Sequence, residues 1–247
     1  MRIWIVAAAS AAVLCAVTGA SYLSPDAVAA VVCAASVAAG IGWPILLGVP
    51  AKKTLALVIS LAGITAAVLA LAAPRTMAMQ WTVAVVALAV MTVFVIQLLR
   101  GTGQPHRLES TFGASSGAVL ASLGAGWVAS DRLAVNAAGS PVMLVTAISM
   151  LFAIGACVLP WPDRLVAPLG VALAALAGGV GGALLASVPV WPAVVVGAVM
   201  GTTVVCFRRL LASAGESARV TGMLSAGLMP VLATGSLVYS LERLLIH

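Results

Sequence analysis

The stretch TLALVISLAGITAAVLALAA, Thr54 to Ala73, runs for twenty residues without a charge, with Lys52 and Lys53 before it and Pro74 and Arg75 after it. A helix rises about 1.5 Å per residue, so this run is about 30 Å long, the thickness of a bilayer's hydrocarbon core. Ala27 to Ala51, Gln80 to Leu99 and Leu165 to Phe207 are uncharged in the same way. The whole chain of 247 residues is 63% hydrophobic and 7% charged. A soluble domain carries roughly 25% charged residues, and one buried core cannot keep this composition in water. The chain reads as an integral membrane protein.

Nine spans are predicted, at about 3–20, 27–49, 54–73, 81–99, 110–130, 141–160, 165–188, 190–207 and 223–241. Pro25, Pro50, Pro74, Pro105, Pro141 and the Pro160-Trp161-Pro162 cluster mark most boundaries, where helices start or stop. The runs are too long for membrane strands and show no period-two alternation, so the expected fold is an all-α polytopic transmembrane bundle rather than a barrel. Residues 1–247 form a single membrane domain, since no loop or tail between spans is long enough for a separate one. Val188-Pro189-Val190-Trp191-Pro192 requires a tight hairpin between the seventh and eighth spans, or else one of the two is re-entrant.

Charge sets the orientation. With a cytoplasmic N-terminus, inner segments hold Arg2, Lys52, Lys53, Arg100, Arg107, Arg164, Arg208, Arg209 and Arg219, against Arg75, Arg132 and Arg243 outside. That nine-to-three asymmetry obeys the positive-inside rule and places the C-terminus outside. Trp43, Trp81, Trp127, Trp161 and Trp191 fall near span ends, where amphipathic rings favour the interface. Met1-Arg2 and the apolar run after it resemble a signal peptide, but the charge count works with the first span retained. Ten arginines against two lysines, with abundant Ala, Val, Leu and Gly, point to a GC-rich bacterial genome and so to the inner membrane. The scattered basic residues form no single face for nucleic acid.

Motifs for chemistry are few. Cys15, Cys33, Cys157 and Cys206 sit in or beside apolar runs without CxxC spacing and read as small hydrophobes; no metal site is expected. Gly113-Ala114-Ser115-Ser116-Gly117 matches GxSxG, yet it lies in a predicted helix and the histidines are His106, in a loop, and His247. Without a base the hydroxyl is a poor nucleophile, so no catalytic residue is assigned and the motif reads as a packing face. Gly178/Gly182 and Gly197/Gly201 repeat the GxxxG spacing. Gly40, Gly42, Gly178, Gly182 and Pro230 are candidate helix bends that could line a path, although no Asp, Glu, Lys or Arg lies inside a predicted span. The polar residues near membrane depth (Gln97, Asn136, Thr146, Ser149, Thr202, Thr203, Thr234, Ser236 and Tyr239) are mostly able to satisfy their own helices. The loops Arg100–Glu109 and Arg208–Gly222 either merely set topology or supply the candidate sites for anionic lipid headgroups: Arg100, His106, Arg107, Arg208, Arg209 and Arg219.

Phe207-Arg208-Arg209, Gly215-Glu216-Ser217, Met229-Pro230 and Leu241-Glu242-Arg243-Leu244-Leu245 give the second half an ending similar to that of CDP-diacylglycerol synthases (phosphatidate cytidylyltransferases). The resemblance implies a many-span lipid-headgroup protein whose basic–acidic cytoplasmic segment leads into the last helix. The family's Lys-Asp and His-Gly-Gly elements are absent, which implies a non-catalytic relative. Together these readings describe an inner-membrane protein without catalytic machinery or cofactor, interacting with lipids or with a partner protein, which could be a second copy of itself. The rivals are a small permease and an active headgroup enzyme in which Arg208, Arg209 and Glu216 meet a carboxylate from Glu109 or Asp163.

Overall fold

The computed structural model describes residues 3–49, 51–100, 107–134, 140–186, 188–212 and 219–245. It is 88% helical. The helices are α1 (Ile3–Ser21), α2 (Pro25–Leu46), α3 (Lys52–Ala72), α4 (Thr82–Leu99), α5 (Arg107–Leu123), α6 (Ala125–Asp131), α7 (Pro141–Val158), α8 (Asp163–Gly181), α9 (Val190–Ala212) and α10 (Val220–Leu245). A 3₁₀ turn, Arg75–Met77, precedes α4, and a π turn, Gly182–Ala186, follows α8. Among the described residues nine helical segments are long and apolar enough to cross a membrane, α5 and α6 together making the fifth (Leu108–Asp131). The protein is a multi-pass α-helical membrane protein.

Helix starts follow the local chemistry. Ser24 accepts a hydrogen bond from the Ala27 amide and Pro25 opens α2, while Ser140 accepts from Met143 and Pro141 opens α7. Serine at the cap satisfies an orphan amide, and proline in the first turn lacks one to satisfy. The fifth span tightens at Gly124, whose amide bonds to Ala121 O and whose carbonyl accepts from Trp127, so the predicted single helix is two. The expected tight hairpin is present, with the Val188 amide reaching back to Gly182 O at 3.0 Å.

Burial ranks the helices. In α10, 72% of the spanning window is buried, against 28% for α1 and for α4. The last helix is therefore the hub, and α1 and α4 lie at the rim. Helices α2, α3, α5, α6 and α10 pack as one group, with α4 against α3 and α5. Helices α7, α8 and α9 pack chiefly on one another and reach the first group mainly through α1 and α10. Leu57, Leu61, Leu88, Met91, Phe94 and Leu176 are exposed, as expected of a surface solvated by acyl chains.

Small residues make the close contacts. A Cβ on Gly178 would stand 2.6 Å from Ala193 O and 3.2 Å from Gly197 Cα, and one on Gly201 would stand 2.7 Å from Ala174 Cβ. The two GxxxG pairs of α8 and α9 thus face each other, the close backbone approach that drives helix association in lipid. Gly182 meets the Ala193 methyl and also starts the π turn, so this run is both packing seam and local distortion. Gly40 and Gly42, expected as an interruption, instead lie within a continuous α2. Gly40 packs on Ser60 of α3 and Gly42 on the Thr221 carbonyl of α10, contacts that any side chain would block. Pro230 is buried inside a continuous α10. A proline can sit there when neighbouring helices absorb the freed carbonyl.

Candidate functional site

The face that bears the start of α1, the end of α2 and the start of α3 is the basic one. Lys52 and Lys53 are exposed in the first turn of α3. Cations at a helix N-terminus oppose the macrodipole, so helix stability does not explain them. On the same face Arg100 follows α4, Arg107 opens α5, and Arg219, exposed, precedes α10. His106 lies outside the described residues, as do Asn136 and Glu216.

Arg208 and Arg209 occupy the last turns of α9, where cations complement the dipole. The Arg208 guanidinium lies 3.2 Å from the Asp163 carboxylate at the start of α8, and Arg209 is exposed. Of the groups that a headgroup enzyme would need to gather, Asp163 and Arg208 are brought together. Their side chains are 51% and 22% exposed, and pairs in that setting contribute about 0.2–1 kcal/mol. Asp163→Asn is accordingly expected to shift the unfolding midpoint of the purified protein by no more than a few degrees, with the shift shrinking in high salt.

Beside this turn a cleft of about 540 Å³ is lined by Trp43, Leu46 and Leu47 from α2 and its cap, Ser116, Val119 and Leu120 from α5, and Phe207 and Leu210 from α9. Its walls come from the two helical groups, which are not in close contact here. One wall is rigidly built: the Trp43 indole N–H donates to Gly113 O at 2.8 Å, and its ring lies on Gly117. Ser116, the polar residue in the lining, donates to the same carbonyl at 2.8 Å. The GxSxG stretch is thus a docking strip for Trp43 and Leu47. Ser115 Oγ is buried without a hydrogen-bond partner, as is Thr146 Oγ1, so no described residue activates either hydroxyl.

No protein-family model, curated protein or solved structure matches this chain. The reading of its function therefore rests on the residues themselves.

The opposite face holds what sequence reasoning missed. Glu242 and Asp131 are 2% and 6% exposed at the ends of α10 and α6. The Ser130 hydroxyl donates to Glu242 Oε2. Arg132 Nη1 donates to Ala70 O and Ala73 O, both at 2.6 Å, closing the C-terminal end of α3. Arg243 Nη1 reaches Thr76 O and Tyr239 Oη at 3.3 Å. A polar clasp thus joins α3, α6 and α10 at the face away from the cleft. Among the described residues no three His, Cys, Asp or Glu side chains group as a metal site. At membrane depth, Gln97 Nε2 donates to Ser110 Oγ at 2.7 Å, while Ser149, Thr202 and Thr203 bond back to their own helices.

Proposed function

We propose that this protein is a lipid-interacting component of a bacterial inner membrane, holding anionic headgroups at its cytoplasmic, basic face. The observation that carries the reading is the placement of Lys52 and Lys53 in the first turn of α3, where the helix disfavours them, on the same face as exposed Arg209. A surface that retains cations against the local dipole has a use for them, and anionic headgroups supply about 1 kcal/mol per cation. The apolar belt above that face supplies the rest of the lipid environment.

The triple variant Lys52→Gln, Lys53→Gln and Arg209→Gln tests this. Purified into neutral detergent micelles and titrated with phosphatidylglycerol or phosphatidylcholine, the wild type is expected to retain the anionic lipid preferentially by native mass spectrometry. The variant is expected to lose most of that preference, by up to roughly 100-fold at low ionic strength. Equal retention of both lipids by the wild type would remove the reading. Robust solute flux in proteoliposomes, or nucleotide turnover by the purified protein, would replace it with the permease or with the headgroup enzyme.

A further inference from the structure

We propose that Trp4, Trp81, Trp161 and Trp191 fix the depth of this bundle by bonding to the ester-carbonyl layer of phospholipids in both leaflets. They match it to a hydrocarbon core about 25 Å thick, thinner than the ~30 Å of a typical bilayer. The inference goes beyond the headgroup reading above, because it involves no lipid charge.

The six tryptophans divide into two kinds. Trp43 and Trp127, expected near the interface from their places at span ends, are 7% and 0% exposed. Each is committed to packing, its indole N–H donating to Gly113 O or Val231 O. Trp4 and Trp191 are instead 74% and 75% exposed, and Trp81 and Trp161 are each 52% exposed. Among the described residues no protein group accepts from the indole N–H of these four. An indole has an apolar body and one polar tip, so it is most stable where hydrocarbon meets the ester carbonyls.

The four rings lie at two levels. Trp4 begins α1, and Trp161 joins α7 to α8 beside exposed Arg164, both at the margin that bears Lys52 and Lys53. Trp81 caps the start of α4 and Trp191 sits in the first turn of α9, at the opposite margin. Three helices give the separation of the levels independently. From Trp4 to exposed Tyr22 along α1, from Trp81 to Arg100 along α4, and from Trp191 to Arg208 along α9 the rise is about 27, 29 and 26 Å. A typical tilt of roughly 20° shortens each by only about 6%. Between its ends α4 exposes Val83, Leu88, Met91, Phe94 and Leu98, all apolar, as a hydrocarbon layer requires. One protein partner could not cover rings at both ends of the bundle on four separate elements, whereas the two leaflets do.

The experiment reconstitutes the full-length protein in phosphatidylcholine vesicles, where no lipid carries net charge. Emission from each exposed tryptophan is taken as the difference between wild type and its Trp→Leu variant. Bromines near the ester end of the acyl chain are expected to quench it at least about twofold more than bromines at the methyl end. Across a series from dimyristoleoyl to dierucoyl phosphatidylcholine, the thermal midpoint should peak where the core is about 25 Å thick. Trp81→Leu combined with Trp191→Leu should lower that peak by a few degrees and flatten it. Tyrosine at both positions keeps an apolar ring with a polar tip and should restore it. All the replaced rings are exposed, so wild-type unfolding of the variants in detergent micelles reports that the fold survives. Quenching that is greatest at the methyl end, rings that no brominated lipid quenches, or a leucine pair with the wild-type dependence on thickness would overturn the proposal. Failure of the phosphatidylglycerol preference would remove the headgroup reading and leave this one standing.

Discussion

Replacement of Gly126 by alanine is expected to destabilise the purified protein by about 3 kcal/mol, the largest loss of any single methyl addition in the bundle. A Cβ there would run into the Gly235 carbonyl group and the Ser236 amide nitrogen of α10, all backbone atoms that cannot rotate aside. Gly235 in turn sits against Leu123 O and the Trp127 amide at 2.8 and 3.0 Å from where its own Cβ would lie. The only relief is to part α6 from α10. That movement would uncover Trp127, which is fully buried, and stretch the 2.7 Å bond from its indole N–H to Val231 O. Gly155→Ala is the control: no neighbouring atom lies within 4 Å of its added Cβ, and alanine is the better helix former. Denaturant or thermal unfolding in a fixed detergent should place Gly155→Ala at or slightly above wild type and Gly126→Ala far below it. Equal midpoints would mean that α6 and α10 do not pack backbone to backbone.

That contact was not legible in the sequence, although much around it was. The spans follow from hydropathy because lipid requires each helix to satisfy its own backbone, which makes run length nearly sufficient. The GxxxG pairs of α8 and α9 could be read as packing faces, and they pack on each other. Gly126 and Gly235 carry no such spacing in the reading of the chain, since their pairing joins residues more than a hundred positions apart. The cleft was hidden for the same reason. It depends on how α9 sits relative to α5, and no local pattern encodes the distance between two helices so far apart in the sequence. Glu242 is different. Val231, Gly235, Val238 and Glu242 fall on one buried stripe of α10 at helical spacing, so the register alone points the carboxyl inward. Ending the last span at residue 241 treated it as a solvated loop charge instead.

Glu242 also yields the second large effect. Glu242→Leu is expected to cost about 1–3 kcal/mol, because the Ser130 hydroxyl, fully buried, would lose its acceptor. Glu242→Gln keeps a carbonyl oxygen in the same place to accept from Ser130 and removes the need to bury a charge, so its stability should equal or exceed wild type. Unfolding of the two variants in the same detergent gives the comparison, and a glutamine variant as weak as the leucine one would show that the negative charge itself holds the clasp. The pair also bears on function. In a lipid-binding protein the clasp serves to tie α6 and α10 shut at the face away from the cleft, and the glutamine variant should bind phosphatidylglycerol like wild type. In a proton- or cation-coupled permease a buried carboxyl at a span margin would carry the coupling, and the same stable variant would lose flux in proteoliposomes. A fold left intact by glutamine therefore lets a single substitution decide whether this carboxylate closes the bundle or moves charge through it.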